Sequence, residues 1–458
     1  MGAAGLGIVS MVGGSHALGG PGLGQLTSIA ANGGAEQAGQ KDREPAPEDQ
    51  PGAHAPATAD PTDGTGGDKD GTGGDRAETP RTSEATAVPC NSSELVSALV
   101  RANNEGGGNI ALAAGCTYTL AKPDQSDAES GLPVIYHPIT INGAGATISR
   151  STDAAVFRFF TVRGGGELKL VDLTLTNGRA ANGGSIQVDH DATAAVERVT
   201  ITQSTALAAE GGGGAIFNDG HMTVVDSKFH DNQAAGASGK GGAILNGGVF
   251  TMADSEFTNN SANAFGGGFA NFQGAADVAT TAFTYNNATE GGGIASVNAR
   301  TKVWDTDVIR NFAKVGGGIL NRDAVITLRN LTVHRNTSTT NGGGIATVNG
   351  LVAADDSFIE ENTGRGNGAG IFAEKSTLLV RGTEVNRNSG VGALSKGGGI
   401  HAEKGQVSVF KSRLTENNST AKPGGFFAKD AKTKIDGRSS ITKNRPVNCG
   451  NGIEHCSD

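Results

Sequence analysis

Large aromatic residues and clustered positive charge are scarce in this sequence of 458 residues. It contains one Trp, three Tyr and four Cys, whereas Gly occurs 73 times. The glycines follow no strict Gly-X-Y period, which excludes a collagen triple helix. No apolar run is long enough for a membrane-spanning helix. No stretch of the sequence contains clustered Lys and Arg, so we expect no nucleic-acid binding, which requires phosphate neutralisation.

The four cysteines form two local pairs, Cys90 with Cys116 and Cys449 with Cys456. No CxxC spacing suits a zinc site, and His455 is the only additional ligand beside such a pair. We therefore predict two disulfides, no metal and no other cofactor. Disulfides imply an oxidising compartment, so we expect a secreted or cell-surface protein.

The net charge of −9 is concentrated near the N-terminus. Residues 36–84 contain 12 acids and 5 bases, which gives −7 and leaves about −2 for the rest. Residues 18–89 hold eight of the 13 prolines and almost no large apolar side chains, so we predict a disordered acidic linker. Before it, residues 1–17 resemble the remnant of a signal peptide, although the first basic residue is Lys41. Either the true start lies upstream or this resemblance is accidental.

Residues 90–130 predict an N-terminal cap that contains a helix. The segment from Asn91 to Asn104 has helical periodicity, and Ser92 and Ser93 are the predicted capping residues. Its apolar face would consist of Leu95, Ala98, Leu99 and Ala102. Such a helix would cover the open end of a repeat array. Residues 447–458, with the second cysteine pair, predict a C-terminal disulfide cap.

A glycine-rich phrase that ends in Ile or Phe recurs every 25 to 30 residues. The apolar residue of each copy is Ile186, Ile216, Ile244, Phe269, Ile294, Ile319, Ile345, Ile371, Ile400 and Phe426. A second register places an Asn three residues after an apolar residue in every copy. These asparagines are Asn232, Asn260, Asn286, Asn311, Asn336, Asn362, Asn388, Asn417 and Asn444. Stacked copies would turn them into a structural asparagine ladder.

This period predicts an all-β right-handed parallel β-helix of about 12 coils, with three short strands per coil, over residues 131–446. Helical repeats would be longer and would show a 3.6-residue period. Leucine-rich repeats would show LxxLxLxxN, which is absent. Phe229, Phe257 and Phe283 occupy equivalent positions and are predicted to fill the interior.

The repeats GGAIFN (213–218) and GGAILN (241–246), with DSKFHDN (226–232) and DSEFTNN (254–260), resemble those of polymorphic outer-membrane proteins. More broadly, the chain from Cys90 to Asp458 resembles the pectate-lyase-like right-handed β-helix superfamily. That resemblance implies a β-helix with a short amphipathic capping helix. It does not fix an activity, because the superfamily contains lyases, hydrolases and adhesins.

Three carboxylates share one register, Asp226, Asp254 and Asp305, and are the candidate catalytic residues. In successive coils two of them would lie about 5 Å apart, which suits a retaining glycosidase pair. Asp before Ser or Thr is also a frequent turn former, and other coils have different residues here. Lyases of this superfamily pair calcium-binding carboxylates with a basic residue, and no such dense cluster is visible.

Two candidate binding sites remain. Asp189, His190 and Asp191 lie in a long coil and could bind a metal or transfer protons, although an isolated polar turn is the favoured interpretation. Trp304, if it points outward, could stack on a sugar ring. We therefore expect a monomeric, non-catalytic surface protein for adhesion or carbohydrate contact, with a polysaccharide or cell-surface glycan as partner. The alternative is a polysaccharide lyase or glycoside hydrolase acting in a groove along the β-helix.

Overall fold

The apolar phrases of the repeat form short β-strands that stack on the equivalent strands of the next repeat. A computed structural model describes residues 84–450 and 452–456. Its strand ladders are parallel, so that Ile216 pairs with Ile244 and Ile244 with Phe269. This part of the chain is a right-handed parallel β-helix, as predicted. The predicted signal-peptide remnant and most of the predicted linker lie outside the described residues.

Most coils contain four short strands, which we number as stacks 1 to 4 in the order in which the chain passes through them. Stack 1 follows the glycine phrase, stack 2 holds the longest segments, stack 3 carries the apolar residue before the ladder asparagine, and stack 4 follows that asparagine. Three strands per coil occur where neighbouring stacks merge into one strand, as in Glu167–Thr176 and Ile371–Arg381, and in the last coil, whose described residues form no stack 4 strand. Stack 4 forms a separate ten-stranded sheet, and the other three stacks belong to one sheet of 33 strands.

The strands of each stack are as follows. Stack 1 consists of Phe160–Val162, Ile186–Val188, Ile216–Asn218, Ile244–Asn246, Phe269–Phe272, Ile294–Val297, Ile319–Arg322, Ile345–Val348, the first parts of Ile371–Arg381 and Ile400–Phe410, and Phe426–Lys429. Stack 2 consists of Thr86–Val88, Gly108–Leu112, the first parts of Ile139–Arg150, Glu167–Thr176 and Thr193–Thr202, then His221–Val225, Val249–Ala253, Ala275–Ala279, Arg300–Trp304, Val325–Arg329, Leu351–Asp355, the second parts of Ile371–Arg381 and Ile400–Phe410, and Lys432–Ile435.

Stacks 3 and 4 have shorter members. Stack 3 consists of Thr117–Leu120, the second parts of Ile139–Arg150, Glu167–Thr176 and Thr193–Thr202, then Lys228–His230, Glu256–Thr258, Ala282–Thr284, Asp307–Ile309, Thr332–His334, Phe358–Glu360, Glu384–Asn386, Arg413–Thr415 and Ser440–Thr442. Stack 4 consists of Arg179–Ala180, Thr205–Ala206, Gln233–Ala234, Ser261–Ala262, Asn287–Glu290, Phe312–Val315, Thr337–Ser338, Thr363–Gly364, Ser389–Gly390 and Asn418–Ser419.

The solenoid has about 14 turns, compared with the predicted 12. Its first rungs are Thr86–Val88, which pairs with Gly108–Leu112, and Gly108–Leu112 itself. The sequence analysis had assigned the former to the disordered linker and the latter to the cap. These degenerate coils lack the glycine phrase, so the repeat alone does not mark where the solenoid begins. At about 4.8 Å per rung the solenoid is about 60 Å long.

Each coil turns at four corners, and at most of them a residue adopts the left-handed conformation. In one coil these residues are Gln273 (φ 69°), Thr280 (44°), Tyr285 (56°) and Gly291 (68°). Only the last corner requires glycine, because a Cβ on Gly291 would lie 2.4 Å from the Ile294 carbonyl oxygen. A left-handed non-glycine residue costs about 1 to 2 kcal/mol. The backbone hydrogen bonds to the neighbouring coils offset that cost.

The main core is lined by apolar side chains of stacks 1, 2 and 3, and alanines of stack 4 form a small separate cluster. Phe229, Phe257 and Phe283 are fully buried and stack with ring centroids 4.7 and 4.8 Å apart, as expected. Parallel stacks at this spacing combine area burial with favourable ring contacts. This column therefore fixes the distance between coils in the middle of the solenoid.

The nine predicted ladder asparagines lie one above another at the corner between stacks 3 and 4. In the ladder, Asn311 Oδ1 accepts hydrogen bonds from the backbone N (2.9 Å) and Nδ2 (3.0 Å) of Asn286. Asn311 Nδ2 donates to Phe283 O (2.9 Å) and to Asn336 Oδ1 (3.0 Å). Seven of the nine side chains show this full pattern. Asn232 begins the ladder by accepting from Ser204 N (3.0 Å), and Asn444 ends it by donating to Asn448 Oδ1 (3.1 Å). Every polar atom of the buried amides is thereby satisfied.

Two further polar ladders were not predicted. Asn218, Asn246 and Asn271 are the third residues of successive stack 1 strands and are joined by Nδ2 to Oδ1 bonds of 2.7 and 2.9 Å. A hydroxyl ladder follows the corner between stacks 2 and 3, where Ser255 Oγ accepts from the backbone N of Ser227 (3.1 Å). The Asn in GGAIFN and GGAILN was visible in the sequence, but Ser296 and Thr347 replace it in later coils and obscure the register.

Both ends of the core are covered. Helix α1 (Ser92–Asn104) buries Leu95, Ala98, Leu99 and Ala102, the predicted apolar face. Its N-cap is Asn91, which accepts from Ser93 N at 2.9 Å, and not the predicted serines. At the other end, the backbone of Cys449 bridges to Phe426, and Ile453 packs against the core. No helix among residues 84–450 and 452–456 is long and apolar enough to cross a membrane.

Both predicted disulfides are confirmed, with Cα–Cα distances of 5.7 Å for Cys90–Cys116 and 6.3 Å for Cys449–Cys456. They close loops with sequence separations of 26 and 7 residues. From loop-closure entropy we expect Cys90→Ser to lower the free energy of unfolding by about 3.5 kcal/mol and Cys449→Ser by about 2.5 kcal/mol. Urea unfolding without reductant measures both values. Adding reductant to the wild type should abolish the differences, and equal stability of all three proteins without reductant would contradict the prediction.

Candidate functional site

The three candidate catalytic aspartates lie at the corner between stacks 2 and 3. Asp226, Asp254 and Asp305 have φ values of 47°, 51° and 49°. Asp tolerates this left-handed conformation better than most residues, which is a local reason for its presence. In the coils between and beyond them, the same corner is formed by Thr280, Asn330, Asp356, Gly382 and Lys411, all with positive φ.

These carboxylates differ in how they are held. Asp254 Oδ1 accepts a hydrogen bond from Thr280 Oγ1 (2.7 Å), and Asp305 Oδ1 accepts one from Asn330 Nδ2 (2.6 Å). Each is thus tied to the next rung of its own corner. Asp226 makes no side-chain hydrogen bond or ion pair within the described residues. Asp226 and Asp254 do occupy adjacent rungs, whereas Asp305 is separated from Asp254 by Thr280.

Trp304 ends a stack 2 strand, points outward and is 38% exposed. The parallel register places four other side chains above it in one outward row. We call this the edge row, which consists of Trp304, Arg329, Asp355, Arg381 and Phe410. Its four rung steps span about 19 Å. An aromatic ring therefore stands at each end of a row of charged side chains.

Of the three charged side chains in the edge row, two are paired with each other and one is not. Arg381 donates to both carboxylate oxygens of Asp355 at 2.7 and 2.6 Å, and this pairing raises the pKa of Arg381. Arg329, on the other side of Asp355, has no hydrogen bond or ion pair from its side chain among the described residues. A cleft of about 400 Å³ lies beside the row and is lined by Arg329, Asp355, Asp356, Arg381, Gly382, Phe410 and Lys411.

The edge row belongs to a larger basic surface. We define the basic face as the outward side chains of stack 2 from Arg300 to Lys434. Its cations are Arg300, Lys302, Arg329, Arg381, Lys432 and Lys434, and Asp355 is its only anion, so six minus one gives +5. On the earlier rungs, from Glu167 to Ala279, the outward stack 2 residues include Lys169 against Glu167, Glu197 and Asp277, which gives −2.

Aromatic rings on this face are contacted by cations. Lys302 Nζ lies 5.9 Å from the Trp304 ring centroid and 3.6 Å from Asp277 Oδ2. Lys434 Nζ lies 5.7 Å from the Phe410 ring centroid. These contacts hold positive charge next to exposed ring surface. Planar rings bordered by cations suit ligands that combine an apolar ring face with negative groups.

The other predicted binding residues, Asp189, His190 and Asp191, follow a stack 1 strand. Asp189 Oδ2 pairs with Arg163 Nε at 3.2 Å, and Asp189 Oδ1 accepts from Gln187 Nε2 at 2.8 Å. His190 and Asp191 are exposed. Within the described ranges there is no group of three or more His, Cys, Asp and Glu side chains that could hold a metal ion.

One buried titratable residue escaped the sequence analysis. His401 lies in stack 1, is 3% exposed, and its ring is sandwiched between Phe372 (5.6 Å) and Phe427 (4.7 Å). Neither ring nitrogen has a hydrogen-bond partner. Burial lowers the pKa of His401 to about 4, although Glu403 acts in the opposite direction. The ring is therefore neutral at pH 7 and functions as part of an aromatic stack.

Among known proteins, only solved structures are similar to this chain in the comparisons made. No family model matches the chain, and no curated protein matches it. A double mutant of the periplasmic alginate epimerase AlgG is similar with a TM-score of 0.42 and 10% identity over 71% of this chain and 84% of that one. The A-module of the Azotobacter vinelandii mannuronan C-5 epimerase AlgE6 gives 0.39 and 13% over 77% and 95%. Tailspike protein 3 of bacteriophage CBA120 gives 0.34 and 12% over 78% and 59%.

At this level of identity the likeness concerns the path of the chain and not its activity. The narrower resemblance to polymorphic outer-membrane protein repeats receives no support from these matches. The assignment of the fold rests on the strand register of this chain, which is that of a right-handed parallel β-helix.

Proposed function

We propose that this chain is an exported, non-catalytic β-helix protein that binds an acidic polysaccharide along its basic face. The observation that supports the proposal best is the edge row, in which an unpaired Arg329 stands between exposed Trp304 and the Asp355–Arg381 pair. A surface cation without a partner is available to an anionic ligand at no cost of breaking an ion pair. The net charge of +5 on the basic face favours negative ligands over neutral ones.

The spacing of the solenoid suits a polymer. Equivalent side chains repeat about every 4.8 Å along the stack, so charged groups form a regular row. A chain of uronic acid or sulfated sugar units likewise presents negative groups at regular intervals. Trp304 can stack on the C–H face of one ring while guanidinium groups form two parallel hydrogen bonds with a carboxylate.

Adhesion at a cell surface is the role that we assign to such binding. Two disulfides fit an oxidising, extracytoplasmic compartment. We propose a monomer, because the basic face requires one solenoid only. A long, open and rigid surface favours several weak contacts with an extended glycan over enclosure of a small molecule.

The proposal predicts that Arg329→Ala weakens binding to polygalacturonate or alginate by about tenfold, since a charge-assisted hydrogen bond contributes about 1.5 to 3 kcal/mol. Trp304→Ala should have an effect of similar size through loss of ring stacking. Isothermal titration calorimetry on oligosaccharides of defined length measures both. Raising NaCl from about 0.05 to about 0.5 M should weaken wild-type binding strongly.

Phe312→Ala is the matched control for Trp304→Ala. Phe312 is similarly exposed, at 45%, but lies in stack 4, away from the basic face, so binding should be unchanged. If Phe312→Ala weakened polysaccharide binding as much as Trp304→Ala does, the effect would not be specific to the Trp304 ring. Release of unsaturated uronides or reducing ends by the wild type, abolished in Asp226→Ala or Asp254→Ala, would replace this proposal by the lyase or hydrolase alternative.

A further inference from the structure

A second cleft, of about 460 Å³, lies outside stack 1 in the earlier rungs. Phe217 and Leu245 are the outward middle residues of two successive stack 1 strands, and Phe272 belongs to the next one. Phe272 also contacts Phe265, with ring centroids 6.4 Å apart. The cleft thus has an apolar, partly aromatic floor that is contributed by three coils.

Polar groups with unused hydrogen-bonding capacity surround this floor. The carboxylate of Asp219 is half-buried and makes no side-chain hydrogen bond or ion pair in the described part of the chain, and neither does the amide of Gln273. Lys240 Nζ donates to Glu210 O (2.6 Å), pairs with Glu210 Oε2 (3.9 Å) and lies 5.2 Å from the Phe272 ring centroid, which holds the ammonium at the cleft with donor capacity left for a ligand. Its side chain is only 12% exposed, so its position is well defined.

Charge distinguishes this cleft from the basic face. The titratable lining groups are Glu210, Asp219 and Lys240, which together give −1. A free half-buried carboxylate opposes entry of an anionic sugar. The same carboxylate is a good acceptor for two hydroxyl groups at once, and a neutral ligand avoids the repulsion.

We propose that the stack 1 cleft binds one pyranose ring of a neutral glycan. The C–H face of the sugar packs on Phe217 and Phe272, Asp219 accepts hydrogen bonds from a pair of adjacent hydroxyls, and Lys240 donates to a ring or hydroxyl oxygen. Small-molecule sites commonly combine an apolar or aromatic floor with a few convergent polar groups that orient the ligand. This site goes beyond the basic face and does not depend on it, because the two share no residue.

The experiment is a glycan array that includes neutral glycans ending in glucose, galactose, mannose or N-acetylglucosamine, together with acidic polysaccharides. We expect wild-type binding to at least one neutral class. Titration calorimetry with that oligosaccharide should show binding at least about tenfold weaker in Asp219→Asn and in Phe217→Ala. Asp219→Asn preserves shape and removes only the charge, so it separates a role in binding from a role in folding.

Trp304→Ala serves as the control, and its affinity for the neutral glycan should equal that of the wild type. The inference is overturned if no neutral glycan binds, or if Asp219→Asn and Phe217→Ala bind it as the wild type does. If the wild type bound a neutral glycan but no acidic polysaccharide, the proposed function would be refuted and the stack 1 cleft would still be supported as a binding site. Circular dichroism and melting temperature verify that each variant is folded.

Discussion

Asn311→Ala should lower the free energy of unfolding by about 3 to 5 kcal/mol, because it leaves several buried polar groups without partners. In the wild type, Asn311 Oδ1 accepts from Asn286 N and Nδ2, and Asn311 Nδ2 donates to Phe283 O. Alanine provides neither an acceptor nor a donor. The backbone N–H of Asn286 and the carbonyl of Phe283 would remain buried and unpaired, and the lost volume would add a cavity.

Urea unfolding followed by circular dichroism measures this loss, and amide hydrogen exchange at Asn286 locates it. Asn287→Ala is the matched control, since Asn287 is the next residue along the chain after Asn286 but is exposed. Its stability should change by less than about 0.5 kcal/mol. If the two alanine variants were equally stable, the ladder would not stabilise the solenoid.

The repeat made the architecture predictable from one sequence. The recurrence of Ile216, Ile244 and Phe269 at intervals of 28 and 25 residues implies that equivalent positions of successive coils stack, and this determines the strand direction and the interior phenylalanine column. The number of corners was not predictable in the same way. Corner residues such as Thr280, Asn330 and Lys411 share a left-handed backbone but no common chemistry, since the ladder hydrogen bonds impose that conformation from outside.

The candidate sites combine residues of several coils, so locating them requires the register between coils. Trp304 was noticed because the sequence has no other Trp, but Arg329 and Arg381 lie far apart in the chain, and only the exact register places them in one row with it. His401 alternates with buried Ile400 and Ala402, a pattern that predicts an exposed side chain. It is buried because Phe372 and Phe427 of the neighbouring rungs enclose it.

His401 should make the protein less stable in acid. Its folded pKa of about 4 lies below its unfolded value of 6.5, so the unfolded state binds more protons between these two pH values. Stability is therefore fully present above pH 6.5 and is lost as the pH falls towards 4. A difference of 2.5 pH units, at about 1.36 kcal/mol per unit and with half-protonation of the folded state at pH 4, gives a loss of about 3 kcal/mol.

His401→Phe should remove this part of the acid sensitivity, because phenylalanine continues the stack of Phe372 and Phe427 and does not titrate. We expect the free energy of unfolding to fall by about 3 kcal/mol less between pH 7 and pH 4 in the variant than in the wild type. Acidic groups that do not interact with His401 are common to both proteins and cancel in this difference. His221→Phe, at an exposed position of stack 2, should retain the wild-type pH dependence. Parallel pH profiles for the wild type and His401→Phe would show that the imidazole is protonated without cost inside its aromatic stack.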